Sequence, residues 1–156
     1  MSSTANRLRY VRRETLVSAL INAVISVGFF LIVFGLSAPV PVWGLGNYVF
    51  DFLPQGFAVS FFGSLVPAQM AARALPKEAV ASGIDPAPSF AASLGNSVVK
   101  GAAAGLAGTL LFAALFWLFG LQELATGPAL AIKLSYGALL GGSVTWLTLT
   151  RLLVAR

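Results

Sequence analysis

From Thr15 to Leu36 the chain reads TLVSALINAVISVGFFLIVFGL, with no charged side chain anywhere in it. At ~1.5 Å of rise per residue, such a run of about 22 residues is long enough to cross the ~30 Å hydrocarbon layer of a bilayer. Arg7, Arg9, Arg12 and Arg13 stand just before it, and a stretch rich in proline and aromatic residues follows. A basic flank, an uncharged apolar rod and an interfacial exit mark a membrane helix. The run exceeds the roughly 7–15 residues of a signal-peptide core. It also carries Ser18, Asn22 and Ser26, and its small-residue exit at Ser37-Ala38 leads straight into Pro39. It is therefore read as a retained helix.

Three further segments repeat the theme, so helices are expected over about 15–36, 53–72, 98–121 and 129–150, preceded by a basic arm at 1–14. Pro67 interrupts the second one and frees the carbonyl of Gly63, which Ser64 or a neighbouring helix has to satisfy. Residues 37–54 hold three prolines with Trp43, Tyr48 and Phe50, and read as a loop at the membrane surface. Residues 73–97 are polar, with room for a short helix near 76–82, and QELATGP makes a tight turn. The fold class is all-α, a bundle of four transmembrane helices. Composition agrees: 58% of residues are hydrophobic and 10% charged, against about a quarter charged in a soluble domain. Too little polar side chain is available to cover a water-facing surface.

The net charge of +5 is not spread over a face as a nucleic-acid reader requires. Of the ten basic residues, all but Lys133 fall in the arm, the central connector with Lys100 at its edge, and the tail. Lys133 shares the other side with Asp51 and Glu123. The positive-inside rule then places both termini and the connector in the cytoplasm of a bacterial inner-membrane protein, with the lipid bilayer as first partner and no nucleic acid.

Val33-Phe34-Gly35-Leu36 closes the first helix, and Leu118-Phe119-Gly120-Leu121 closes the third. This is either a tandem repeat of two-helix units about an axis along the membrane normal, or coincidence among abundant residue types.

Ser18, Asn22 and Ser26 recur at i, i+4 and i+8, on one face of the first helix. Gly56, Ser60 and Ser64 make a matching stripe on the second, and these two faces are expected to meet. Gly101 and Gly105, with Ala104 and Gly108, form small-xxx-small pairs on the third helix. Gly137 and Gly141, beside Gly142, do so on the fourth. Such faces let helix backbones approach, within one chain or between chains, and buried hydroxyls and amides fasten neighbours. A second reading makes the polar residues the lining of a path. Lys133 is expected to snorkel outward as an interfacial anchor, with Asp51 and Glu123 near enough to pair with it. The competing reading of that trio is an ion or substrate gate. Gln55, Gln69, Trp117 and Trp146 read as interfacial residues.

The chain has no cysteine and no histidine, which removes thiolate chemistry, the Ser-His pair, haem ligation by His or Cys and most zinc or copper sites. No glycine-rich phosphate loop and no hydrolase elbow is present, and no carboxylate lies midway along an apolar segment. A non-catalytic protein with no cofactor and no metal is expected.

The order of basic arm, SALINAVISVGFFLIVFG, PVPVWG, DFLPQGF and FFGSLVPAQMAAR resembles small bacterial inner-membrane proteins with a paired-helix unit. In these, Ser or Asn lies in the first helix and Pro precedes Arg at the end of the second. The resemblance covers about residues 12–73 and implies topology only, since that family has no assigned function. The expected role is an accessory or assembly subunit packing against other transmembrane helices, as a homo-oligomer or in a larger complex. The alternatives are a small oligomeric permease or channel, with Asn22, Ser26, Ser60 and Ser64 along the path, and a binder of a lipid or hydrophobic ligand at the Phe-rich outer halves and Trp43.

Overall fold

The computed structural model describes residues 4–37, 39–74 and 89–153. Within them the regular structure is helical apart from one short strand pair, with turns between the elements. The order is α1 (Thr4–Val33), β1 (Val40–Pro41), α2 (Phe52–Ala74), α3 (Phe90–Leu118), β2 (Glu123–Leu124) and α4 (Thr126–Leu153). Among the described residues α1, α3 and α4 are long and apolar enough to cross a membrane. Pro54, Gln55, Pro67 and Gln69 make α2 less apolar, although it is 23 residues long.

The helices run past the apolar limits read from the sequence. α1 begins at Thr4, so the basic arm forms its first turns, and α3 begins at Phe90 instead of near Val98. Hydropathy marks only what lipid tolerates, whereas arginine, leucine and alanine propagate a helix equally well in water. Ser89 caps α3, its hydroxyl accepting the Ala92 N–H at 3.2 Å. The short helix expected near 76–82, together with Lys77, Glu78, Asp85 and Arg156, lies outside the described residues.

The two Phe-Gly-Leu echoes are helix stops. Gly35 and Gly120 take left-handed backbone angles, φ 67° and 63°, which cost glycine nothing. The Gly35 N–H bonds to the Leu31 carbonyl at 3.1 Å and the Leu121 N–H to the Phe116 carbonyl at 2.9 Å. These are two ways of satisfying the orphan carbonyls of a last turn.

Of the three pairs of sequence neighbours, only α2 and α3 pack along one another. α1 lies along α4, α4 along α2, and α2 along α3, while α1 scarcely touches α2. The outer pairs are antiparallel. Ser18 meets Gly141 across α1 and α4, and Ser64 meets Ser97 across α2 and α3. The row α1–α4–α2–α3 is unchanged when the two halves of the chain are exchanged.

At one end the connections fold over the bundle. β1 and β2 pair antiparallel, with Val40 opposite Leu124 and Pro41 opposite Glu123. The Val42 N–H bonds to the Gln122 carbonyl at 2.9 Å, and Trp43 Nε1 donates to the Leu121 carbonyl at 2.9 Å. The segment expected as a surface loop is thus a structured cap, which buries Val40, Val42, Tyr48 and Phe52 against Phe30, Phe116 and Ala129. At the other end Val11 packs on Leu149 and Leu153, and Arg7 donates to the Leu153 carbonyl at 3.0 Å.

Candidate functional site: a buried polar seam closed by an ion pair

Ser18, Asn22 and Ser26 share one face of α1, and that face is turned to α4. The expectation that it meets the Gly56–Ser60–Ser64 stripe of α2 is corrected by the packing order. The reason is steric: Gly137 and Gly141 on α4 leave open the space that Ser26 and Asn22 fill, and a Cβ at either glycine would collide with them. The hydrogen bonds follow the seam. Gln55 Nε2 donates to Ser26 Oγ at 2.8 Å, Ser26 Oγ to the Asn22 carbonyl at 2.7 Å, and Asn22 Nδ2 to the Ser18 carbonyl at 2.8 Å. Thr145 Oγ1 lies 2.8 Å from Ser18 Oγ and 3.3 Å from the Gly63 carbonyl. A carbonyl can only accept, so Thr145 donates there when Ser18 donates to Thr145. Gly63 is the residue whose carbonyl Pro67 deprives of its helical donor, and α4 supplies the replacement.

The α2 stripe packs on α3. A Cβ at Gly105 would lie 2.6 Å from the Leu53 carbonyl oxygen, one at Gly56 would lie 2.8 Å from the Gly105 Cα, and one at Gly101 would lie 3.0 Å from Phe57. Ser64 Oγ reaches the Ser60 carbonyl at 2.8 Å and Ser97 Oγ at 2.9 Å. Ser60 Oγ is buried without a hydrogen-bond partner among the described residues. Gly108 instead receives the Tyr136 ring from α4, whose hydroxyl is 3.4 Å from the Ala104 carbonyl. The glycine faces are therefore used inside this chain.

The seam ends under the cap. Lys133, expected at the interface with its ammonium in water, is 1% exposed. Its Nζ lies 2.9 Å from Asp51 Oδ2, 3.6 Å from the Phe52 ring centre and 5.0 Å from that of Tyr48. The α4 position points inward between α2 and the cap, so the stem has no outward route. Pairing with a carboxylate and with ring faces replaces the lost water. Tyr48 donates to the Ala129 carbonyl at 2.5 Å, and burial, then the Asp51 charge, raise its phenol well above the ordinary range. Glu123 does not join the pair: it is exposed in β2.

Gln55 is a half-buried bridge, with Nε2 also 3.3 Å from the Lys133 carbonyl. Trp117 is exposed near the end of α3, and Trp146 packs at the basic end. Thr145, Tyr136 and Ser97 belong to the site although their hydropathy does not distinguish them. Thr145 and Ser97 each lie four residues from a glycine on the same helix face, whereas Tyr136 has only Ile132, Lys133, Leu139 and Leu140 at those spacings and carries no such signal. No group of three or more Asp or Glu residues among those described is placed to hold a metal ion. The arrangement can fasten helices and hold one buried charge pair. Comparison with protein-family models, with curated proteins and with solved structures finds no match.

Proposed function

We propose that this is a non-catalytic integral protein of the bacterial inner membrane, a four-helix bundle that serves as an accessory or assembly subunit. The observation that carries this reading is that Ser18, Asn22, Ser26 and Thr145, on the facing sides of α1 and α4, bond to groups inside the bundle. Asn22, Ser26, Gln55 and Thr145 each bond within the seam, and of these four only Gln55 keeps a buried polar atom, Oε1, without a partner among the described residues. What the chain offers to others is its outer surface. Leu16, Leu20, Val24, Phe29 and Ile32 line the free side of α1, on the flank of the row. Partner helices or a second copy would pack there.

α2 joins the bundle as a fourth crossing. It lies between α3 and α4, so its glutamines and serines face protein, and Phe52 to Arg73 spans about 31 Å at ~1.5 Å per residue. Arg12, Arg13, Arg73 and Arg151 then mark one end of the bundle, and the positive-inside rule makes it cytoplasmic, while Lys100, next to the Gly101–Phe57 contact, starts deeper on α3. The exchangeable row, the paired strands and the shared glycine stops favour a tandem two-helix repeat.

The test is gentle detergent extraction followed by mass measurement. A defined oligomer or a co-purifying membrane protein at fixed ratio supports the reading. A lone monomer that conducts ions or small solutes in liposomes, with flux abolished by Asn22→Leu, replaces it with the permease reading.

A further inference from the structure

At the basic end, Lys100 of α3 and Arg151 of α4 border the same small pocket, about 120 Å³, with Ser93, Asn96, Ser97 and Thr148. Neither cation has an ion-pair partner among the described residues. Two cations facing one partly desolvated pocket repel each other unless an anion joins them. The pocket also holds an unused donor: Ser93 is 5% exposed and its hydroxyl has no hydrogen-bond partner among the described residues. These are the contacts that hold a phosphate oxyanion.

The pocket is continuous with an apolar trough. A second cavity of about 430 Å³ shares Lys100, Thr148 and Arg151 with it and runs along Ala103, Ala107, Leu140 and Val144. It lies where α3 and α4 do not pack directly, being held apart by Tyr136 against Gly108 and Phe112. Lys100 stands one residue before Gly101, which packs on Phe57, and its long stem can carry the ammonium toward the basic end of the bundle.

We propose that Lys100 and Arg151 bind the phosphate of an anionic phospholipid, one of whose acyl chains lies in the trough between α3 and α4. The inference rests on the membrane-spanning reading but not on the accessory role. A soluble phosphate shares the oxyanion chemistry but has nothing to place in the trough.

The full chain, exchanged into a neutral detergent, is given phosphatidylglycerol, phosphatidylcholine or inorganic phosphate, and is read by native mass spectrometry and thermal unfolding. Phosphatidylglycerol stays bound and raises the unfolding temperature more than phosphatidylcholine does, a comparison that needs no variant. Lys100→Gln and Arg151→Gln each lower its retention by about fivefold, the effect of one cation at a lipid surface. Ala107→Phe, which fills the trough, lowers lipid retention. Equal retention of the two lipids, or no loss in the double glutamine variant at unchanged helicity, overturns the site. Stabilisation by inorganic phosphate alone, without a lipid adduct, overturns the lipid assignment. Topology labelling separates these failures from failure of the membrane reading itself.

Discussion

Lys133 holds its ammonium 2.9 Å from the carboxylate of Asp51, across the junction between α4 and the cap. Removing one member of such a pair leaves the other charge buried and unpaired, which costs more than the pair itself contributes. Asp51→Asn should therefore destabilise the bundle by about 2–3 kcal/mol, at or below the usual range for a buried pair because Asp51 remains 22% exposed. Lys133→Met should cost less, and the double variant should recover most of the loss. Denaturant unfolding in mixed micelles measures all three. An Asp51→Asn protein as stable as the parent would show that the ammonium finds water despite its burial.

The glycines divide into two groups with opposite expected responses to alanine. A methyl at Gly105 meets the Leu53 backbone oxygen, which cannot move without shifting α2, and a methyl at Gly141 meets Asn22. Gly28 and Gly95 have nothing within 4 Å of the new carbon. Gly95→Ala should gain about 0.5–1 kcal/mol from helix propensity, while Gly105→Ala should lose about 1–3 kcal/mol from overpacking. The same unfolding measurement ranks them. A stabilised Gly105→Ala protein would mean that α2 and α3 are not in backbone contact.

The spacing of Ser18, Asn22 and Ser26 discloses their shared face, because helical geometry alone determines it. Which helix receives that face is not legible, since the stripes on α2 and α4 are both built from small residues. The choice falls to Gly137 and Gly141, whose gaps fit an asparagine and a serine in three dimensions. Lys133 is missed for a related reason. Hydropathy and position describe a single residue, but its inward direction depends on Asp51, Phe52 and a cap that the sequence presents as proline-rich loop. The Gly63 carbonyl was legible as a vacancy because proline removes a donor whatever surrounds it, although Thr145 as the donor was not.

That vacancy makes Thr145 and Pro67 energetically coupled. Thr145→Val removes the hydroxyl from both Ser18 and Gly63 and should cost about 0.6–1.7 kcal/mol, the range for hydrogen bonds between membrane helices. In a Pro67→Ala background the restored amide bonds to the Gly63 carbonyl within α2, so the threonine has less left to satisfy. The cost of Thr145→Val should then fall by roughly half a kcal/mol or more, within the range of coupling between groups sharing a partner. A double-mutant cycle measures the difference. Strict additivity would show that Thr145 serves Ser18 alone.

The placement of the two ends can be settled with a chain that has no native cysteine. Leu45 is 87% exposed at the tip of the cap, and Arg9 is exposed on the opposite, basic end. With the arginines held inside by the charge rule, Leu45→Cys should react with an impermeant thiol reagent added to intact spheroplasts. Arg9→Cys should react only after the membrane is opened. The two sites lie at opposite ends of α1, so a single inversion would reverse both results together. Labelling of both from outside would deny that α1 crosses at all. It would remove the membrane level on which the proposed four crossings, cytoplasmic arm and lipid pocket beside Lys100 all depend.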